Sequence, residues 1–471
     1  MRFVTSAQRH ISAFVSHSEE NNDEAKYYEA ILREAGFSVF QYGHGLNPGE
    51  HIRRIVLDRI SKCHFFLLLV SEHSLTSSWV QRELGLAVAL RKKNRDYKPI
   101  IIPLYVKNAS WRESGERPVS FPTRDFDSGE TCEPFDLAGV RGLDRHSNPY
   151  ADSDDVLISL MKPSILVTRL DFQDEATFYD MDVFRLYDSL FPPVERDAAE
   201  DIIHWVLRSD IGQERTIVLP DGAALTYALD SRFFILSLAE KAIGLAFFTF
   251  DLSSKLLYGN YIAVQECWRG GDIAGAFMGE IMSVLGERFP DNQGVVFEVE
   301  RFERQRIERI IDDLERTRSF SSEDDRNEIR KFLRVAWYQK IGCLFFLDKR
   351  TGEPLFATSP SLDPSGSVLS WKGTEVDYWI MWCNKPGAPL SIGGAKVLWE
   401  RAVKCIYLEI LGKSLVESAP DTGPEYWSYA RTVVDNTLKH AEPNEITFGK
   451  FLYRHSSLFE RWMKLRIEIA I

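Results

Sequence analysis

Trp79 and Glu83 stand four residues apart in SSWVQREL (77–84). On a helix that spacing puts both side chains on one face. A carboxylate beside an aromatic surface can stabilise a developing positive charge or hold hydroxyl groups, and it needs no metal to do so. The competing reading is a solvated helix charge, because Val80, Leu84 and Ala87 already supply an apolar stripe. A second group lies in CWRGGDIAG (267–275), where Arg269, Gly270 and Gly271 precede an apolar helical pattern. Tyr338 in WYQKIGC (337–343) carries a proton donor, though at this spacing it also reads as a packing residue. Glu298 and Glu300 alternate with Phe297 and Val299, so either is a general base or an ordinary solvent-face residue.

The elements that must position these groups follow from periodicity. HISAFVSH, FSVFQY, HFFLLLVS and KPIIIPLYV read as strands, the third of them apolar on both faces. Between them lie helical patterns, NDEAKYYEAILREAG ended by Gly36 and PGEHIRRIVLDRISKC with Pro48 near its start. Strands alternating with helices predict a parallel sheet. Residues 108–150, rich in Ser, Gly, Pro, Asp and Arg, read as loops, and ADSDDVLISLMK as the helix that closes the first domain near residue 162. From RFFILSLAEKAIGLAFFTFD the period becomes that of long strands, with AEKAIG and DLSSK as connections and LLYGNYIAVQ as the third strand. A helix over IAGAFMGEIMSVLGERF and a strand over GVVFEVER come next. Residues 301–335 read as an inserted, solvated helix pair; GCLFFLD and VDYWIMWC supply strands, and the tail from 394 reads as helices.

With 471 residues, 44% apolar and 27% charged, the chain has the composition of a globular protein with several domains. A formal net charge of −12 argues against a chain-wide nucleic-acid surface. No run has the roughly 20 apolar residues a membrane span needs, and the N-terminus lacks an apolar signal region, so a cytoplasmic protein is expected. The six cysteines form no CxxC pair or His/Cys cluster, so no metal site is expected.

The ordered set FVSHS (14–18), SVF (38–40), LNPGEHI (46–52), LLLVSEHSLTSSWVQREL (67–84) and IIIPLYV (100–106) resembles the Toll/interleukin-1 receptor (TIR) domain. The resemblance implies a flavodoxin-like doubly wound parallel sheet. Some family members are interaction scaffolds; others cleave the nicotinamide–ribose bond of NAD+ with a glutamate in the pattern Trp-x-x-x-Glu, here Trp79 and Glu83. It further implies that Phe14 and Phe40 line the pocket and that Ser16, His17 and Ser18 meet the nucleotide. Open α/β sheets bind ligands beyond the carboxyl ends of their strands, which makes SHSEEN and the loop holding Pro48 and Gly49 the expected mouth. Self-association through TIR domains is the expected partnership, with an unidentified activating ligand or protein.

Residues 184–383 resemble a GCN5-related N-acetyltransferase (GNAT). This implies a mixed α+β fold, acetyl-CoA as cofactor at Arg269, Gly270, Gly271, Ile273 and Ala274, and Tyr338 as the acid that protonates the leaving thiolate. Asp272 departs from the pattern, placing a carboxylate where the family has a glycine and a pyrophosphate. The expected organisation is a TIR domain at 1–162, a GNAT-like domain at 163–390 with its charged insertion, and a helical extension at 391–471. The expected function is an assembly- or ligand-gated NAD+ glycohydrolase, used in antiviral defence by abortive infection. The alternative is a GNAT acetyltransferase carrying a non-catalytic TIR scaffold.

Overall fold

From Ser12 to Tyr105, each strand of the first sheet pairs with neighbours separated from it by a helix, and this sets where a ligand can sit. The computed structural model describes residues 2–3, 11–41, 52–93, 98–106, 118–138, 143–144, 157, 160–161, 164–168, 183–191, 202, 205–206, 214–219, 222, 224–238, 241–265, 268, 273–361, 368–385, 394–418, 422–441, 445–450 and 456–465. Strand β1 (Arg2–Phe3) belongs to the second sheet, pairing with a strand at Ser164–Ile165. The first sheet holds β2 (Ser12–Ser16), β3 (Ser38–Gln41), β4 (Phe65–Val70) and β5 (Ile100–Tyr105), with helices α1 (Asn22–Glu34), α2 (Ile52–Lys62), α3 (Glu72–Thr76) and α4 (Ser78–Lys93). α1 ends at Gly36, whose φ of 93° is open to glycine without strain.

FFLLLV has no polar face, and as β4 it is buried at every position between α-helical layers. The sheet order is β3-β2-β4-β5, extended by β8 (Leu143–Asp144), and all four pairings are parallel. The chain runs outward from β2 to β3, then crosses back to β4 on the other side of β2. Open α/β sheets take ligands at such a reversal, in a crevice beyond the carboxyl ends of the strands, here β2 and β4.

Residues 108–150 were expected to be loops, yet β6 (Ser120–Arg124) and β7 (Thr131–Asp136) form an antiparallel hairpin. Asp125 Oδ1 accepts from the backbone N–H of Asp127 and Ser128, closing the turn. Phe121 and Thr123 alternate inward while their neighbours face out, a signal too short and too polar to read as a strand. The hairpin lies so close to α4 that a Cβ at Gly85 would stand 2.0 Å from Arg124 O.

Among the described residues the second sheet is mixed and ten-stranded. Its members are β1, β9 (Ser164–Thr168), β12 (Leu229–Leu238), β13 (Lys241–Asp251), β14 (Leu256–Val264), β15 (Gly294–Glu300), β16 (Leu344–Asp348), β17 (Phe356–Ser359), β18 (Val376–Asn384) and β19 (Ile446–Gly449). β10 (Arg215–Val218) and β11 (Ala224–Tyr227) make a separate hairpin. The sheet order is β1-β9-β12-β13-β14-β15-β18-β16-β19, with β17 beside β18. Every pairing is antiparallel except β14 with β15, which touch in parallel only at Leu257↔Val295 and Tyr258↔Val296 and then part. The ring of Phe297 fills the place a side chain at Gly259 would take, where the parting begins.

α5 (Val183–Leu190) packs on one face of this sheet, and α6 (Ile273–Arg288), α7 (Arg304–Thr317) and α8 (Glu323–Lys340) on the other. The charged stretch is therefore part of the core and not a solvated insertion. Ile307, Ile310, Ile311 and Leu314 form one buried stripe, and Ile329, Phe332 and Val335 another. A three-to-four residue spacing hides inside a charged composition. The tail also departs from an all-helical reading, because Ile446–Gly449 pairs with β16 as an edge strand. AEKAIG is only in part a connection, since β13 already begins at Lys241.

The two sheets share one continuous core, joined by an indole. Trp268 is fully buried, stacks on His64 at 4.9 Å and meets Phe65 edge-on at 6.4 Å. Burial and the Lys98 charge hold His64 down to about 3, so its ring stays neutral and its Nδ1 accepts from Ser12 N–H at 3.0 Å.

Candidate active site

The crevice beyond β2 and β4 gathers hydroxyls and amides from segments far apart in sequence. Ser16 is the last residue of β2, and Ser71 follows β4 and caps α3, exchanging hydrogen bonds with Ser74 in a capping box. Asn21 ties the two loops together: its Oδ1 accepts from Ser18 Oγ at 2.7 Å and from Ser71 Oγ at 2.5 Å. All of these side chains are buried.

α4 supplies the charge. Val80, Leu84 and Ala87 are buried as the apolar stripe requires, and Glu83 is buried with them at 1% exposure. Its carboxylate therefore points into the molecule and not to solvent. Ser16 Oγ donates to Glu83 Oε2 at 2.6 Å, while Oε1 is buried and accepts no well-formed bond among the described residues. Burial pushes the carboxyl up to about 8, against the opposing effects of Ser16 and the adjacent Trp79 indole. A solvated surface glutamate would have neither property.

The other residues expected at this site fall in different places. Trp79 is half-buried and approaches Phe126 of the hairpin at 6.2 Å. Phe40 is half-buried, with the Arg59 guanidinium 5.3 Å from its ring centre. Phe14 is enclosed between Phe40 and Phe66, at 5.4 and 5.6 Å, so it supports Phe40 from behind and does not itself face the crevice. His17 is half-buried beside Val15 O, and burial lowers its pKa, leaving it a neutral ring. Ser18 is spent on Asn21. The loop with Pro48 and Gly49 lies outside the described residues. Sequence reasoning missed Asn21 and Ser71; the only signal for Ser71 was its place before the acidic start of a helix. It also missed Gln81, which bridges Leu75 O and Arg124 Nε and so anchors the hairpin to α4.

In the second sheet, Arg269, Gly270, Gly271 and Asp272 lie outside the described residues, and Ala274 sits half-buried in the first turn of α6. Tyr338 packs on Phe297 with ring centres 4.7 Å apart, and burial raises its pKa further above the ordinary value. Glu298 faces the opposite side of β15. It is no ordinary solvent-face residue, since the hydroxyls of Tyr258 and Tyr407 both donate to it. Tyr407 comes from the π-helical segment Cys405–Ile410 of the tail, so the tail seals that face. Glu300 pairs with Lys331 and Arg334. Tyr338 and Glu298 are thus not brought together. A cavity of about 30 Å³, walled by Trp205, Tyr227, Thr249, Asn260 and Ser414, also lies here, remote from Glu83. That is space for a water or two and not for a substrate.

Among the described residues, no group of three or more His, Cys, Asp or Glu side chains could hold a metal, and no helix is long and apolar enough to cross a membrane.

Comparison with known proteins bears on the first sheet. Residues 13–139 match the TIR domain family model. Over 107 residues, 22% of this chain, the sequence is 32% identical to the NAD(+) hydrolase PdTIR of Paracoccus denitrificans; the chain spans about a third (34%) of that relative's length. Solved structures similar to this chain include a protein assigned to the GNAT acetyltransferase family from Bacteroides thetaiotaomicron (14% identity, 52% of this chain and 99% of that one, TM-score 0.30). Another is the ribosomal-protein-S18-alanine N-acetyltransferase of Escherichia coli (11% identity, 49% and 99%, TM-score 0.25).

Proposed function

We propose that the TIR domain at residues 13–139 is an NAD+ glycohydrolase with Glu83 as its catalytic carboxylate. The observation that carries this reading is the Glu83 side chain itself, buried at the switch-point crevice and held by Ser16 at 2.6 Å. Structural glutamates on helices seldom bear the cost of such burial, whereas catalytic groups often do.

In the reaction, the bond between ribose C1′ and the nicotinamide nitrogen breaks, and its electron pair neutralises the departing pyridinium. The ribose is left with oxocarbenium character. An ionised Glu83 stabilises that charge in a site of low dielectric, where a carboxylate acts more strongly than in water. Water then adds at C1′ and loses a proton, giving ADP-ribose. Phe40 offers an aromatic face for the nicotinamide ring, with Trp79 beside the carboxylate. The nucleotide would extend over Ser16 and His17.

NAD+ loss harms the cell that makes the enzyme, so the activity is expected to be gated by self-association or by an activating ligand or protein. A cytoplasmic role in antiviral defence by abortive infection fits this chemistry. The test is NAD+ cleavage by purified full-length protein across a range of concentrations. Wild type should show a steep rise with concentration, and Glu83→Gln should lose at least about a hundredfold in rate. Equal cleavage by the variant would remove Glu83 from the mechanism. No cleavage at any concentration would favour the scaffold reading, for which labelled acetyl-CoA, with Tyr338→Phe as control, is the companion assay.

A further inference from the structure

β16 and β18 run antiparallel with Leu344 opposite Trp382 and Phe345 opposite Met381. One residue further along this register, Cys343 falls opposite Cys383. Directly opposed residues in such a pair have Cα atoms about 4.5–5.5 Å apart, inside the roughly 4.4–6.8 Å range that a disulfide spans. Both cysteines are free thiols, and each influences the other's ionisation.

The two differ in what they can do. Cys383 is partly exposed at the end of β18, while Cys343 is fully buried behind it. Burial raises the Cys343 thiol, and the influence of Cys343 lowers that of Cys383. An accessible thiol of lowered pKa with a buried resolving thiol against it is the arrangement from which reversible disulfides form. The remaining described cysteines have no such partner among the described residues: Cys63 and Cys405 are buried in separate cores, and Cys132 is exposed on the hairpin.

We infer that Cys343 and Cys383 form a thiol–disulfide switch that reacts with low-molecular-weight disulfides. The Cys383 thiolate attacks one sulfur of the small disulfide, forming a mixed disulfide and expelling one thiolate, which takes up the proton Cys383 has lost. Cys343 then attacks the Cys383 sulfur, expels the second small thiolate and passes its proton to it. Two protein thiols are oxidised and one small disulfide is reduced to two thiols. The new bond clasps β18 to the turn below α8, because Cys343 N–H already donates to Tyr338 O at 3.0 Å. The switch therefore fixes the end of the helix that carries Tyr338.

The experiment treats the folded full-length protein with oxidised glutathione, quenches it with acid, alkylates free thiols after denaturation and maps the unreduced peptides. A peptide joining Cys343 to Cys383, with loss of alkylation at both and recovery after dithiothreitol, is the expected result. Cys343→Ser should stop at a glutathione adduct on Cys383. Full alkylation of both cysteines after treatment, a Cys383 bond to some other cysteine, or no adduct in Cys343→Ser would overturn the proposal.

Discussion

Ser16 Oγ donates a 2.6 Å hydrogen bond to Glu83 Oε2, joining the carboxyl end of β2 to the second turn of α4 across 67 residues of sequence. This bond lies where the sheet order reverses, and it makes one unit of a buried acid and the strand that faces it.

The acid's protonation bears on stability. The carboxyl has an ordinary value of 4.5 and is raised to about 8 in the folded protein. Between those values the folded state holds a proton that the unfolded state has released, so stability falls as pH rises from 4.5 to about 8 and levels off above it. Glu83→Gln removes this dependence. Chemical denaturation should find the variant more stable than wild type at pH 8, by on the order of a few kcal/mol, with the gap closing toward pH 4.5. A gap that does not change with pH would mean that Glu83 is not a titrating buried acid.

Charge stabilisation requires the ionised form, and this sets the pH profile of NAD+ cleavage. kcat/KM should rise with pH through about 8 and then level. Ser16→Ala removes a bond that favours the carboxylate, so the rising limb should move up by about one pH unit. A limb that stays in place in Ser16→Ala would separate this hydrogen bond from the reactive group.

Gly85 lets α4 and the β6–β7 hairpin approach more closely than any side chain permits, with Arg124 O only 2.0 Å from where a Cβ would stand. Gly85→Ala should destabilise the protein by about 1–3 kcal/mol through overpacking. It should also open the hairpin to limited proteolysis near residues 125–130. Unaltered melting and cleavage patterns would show that the hairpin yields freely.

Trp268 joins the two cores against His64, and its Nε1 finds no acceptor among the described residues. Trp268→Ala should cost about 3–5 kcal/mol in denaturant titration. Trp268→Phe should cost less, because it keeps a ring on His64 and removes a buried donor. If both variants melt like wild type, the indole does not couple the two sheets.

Much of the fold was legible in order. The apolar run FFLLLV, the alternation of strand and helix before residue 106, and the long strands after 229 are local patterns, and a buried or half-buried strand must have them. The hairpin at 120–136 and the edge strand at 446–449 were not legible. Each is short, the hairpin is largely polar, and each is stabilised by the neighbour it meets, α4 in one case and β16 in the other. The amphipathic helices at 304–340 were legible as helices but not as core, because their charge outnumbers the buried stripe.

The candidate site divides in the same way. The sequence by itself determined that Trp79 and Glu83 share a helical face, and that this helix follows the central strand. It left undecided whether the carboxylate meets water. Only the tertiary structure decided that, by setting Ser16 against Glu83 and closing Asn21 and Ser71 around the same crevice. The physical reason is that burial is a property of what surrounds a group. Here the surroundings come from strands and loops joined by long parallel crossovers, so no local window of sequence contains them.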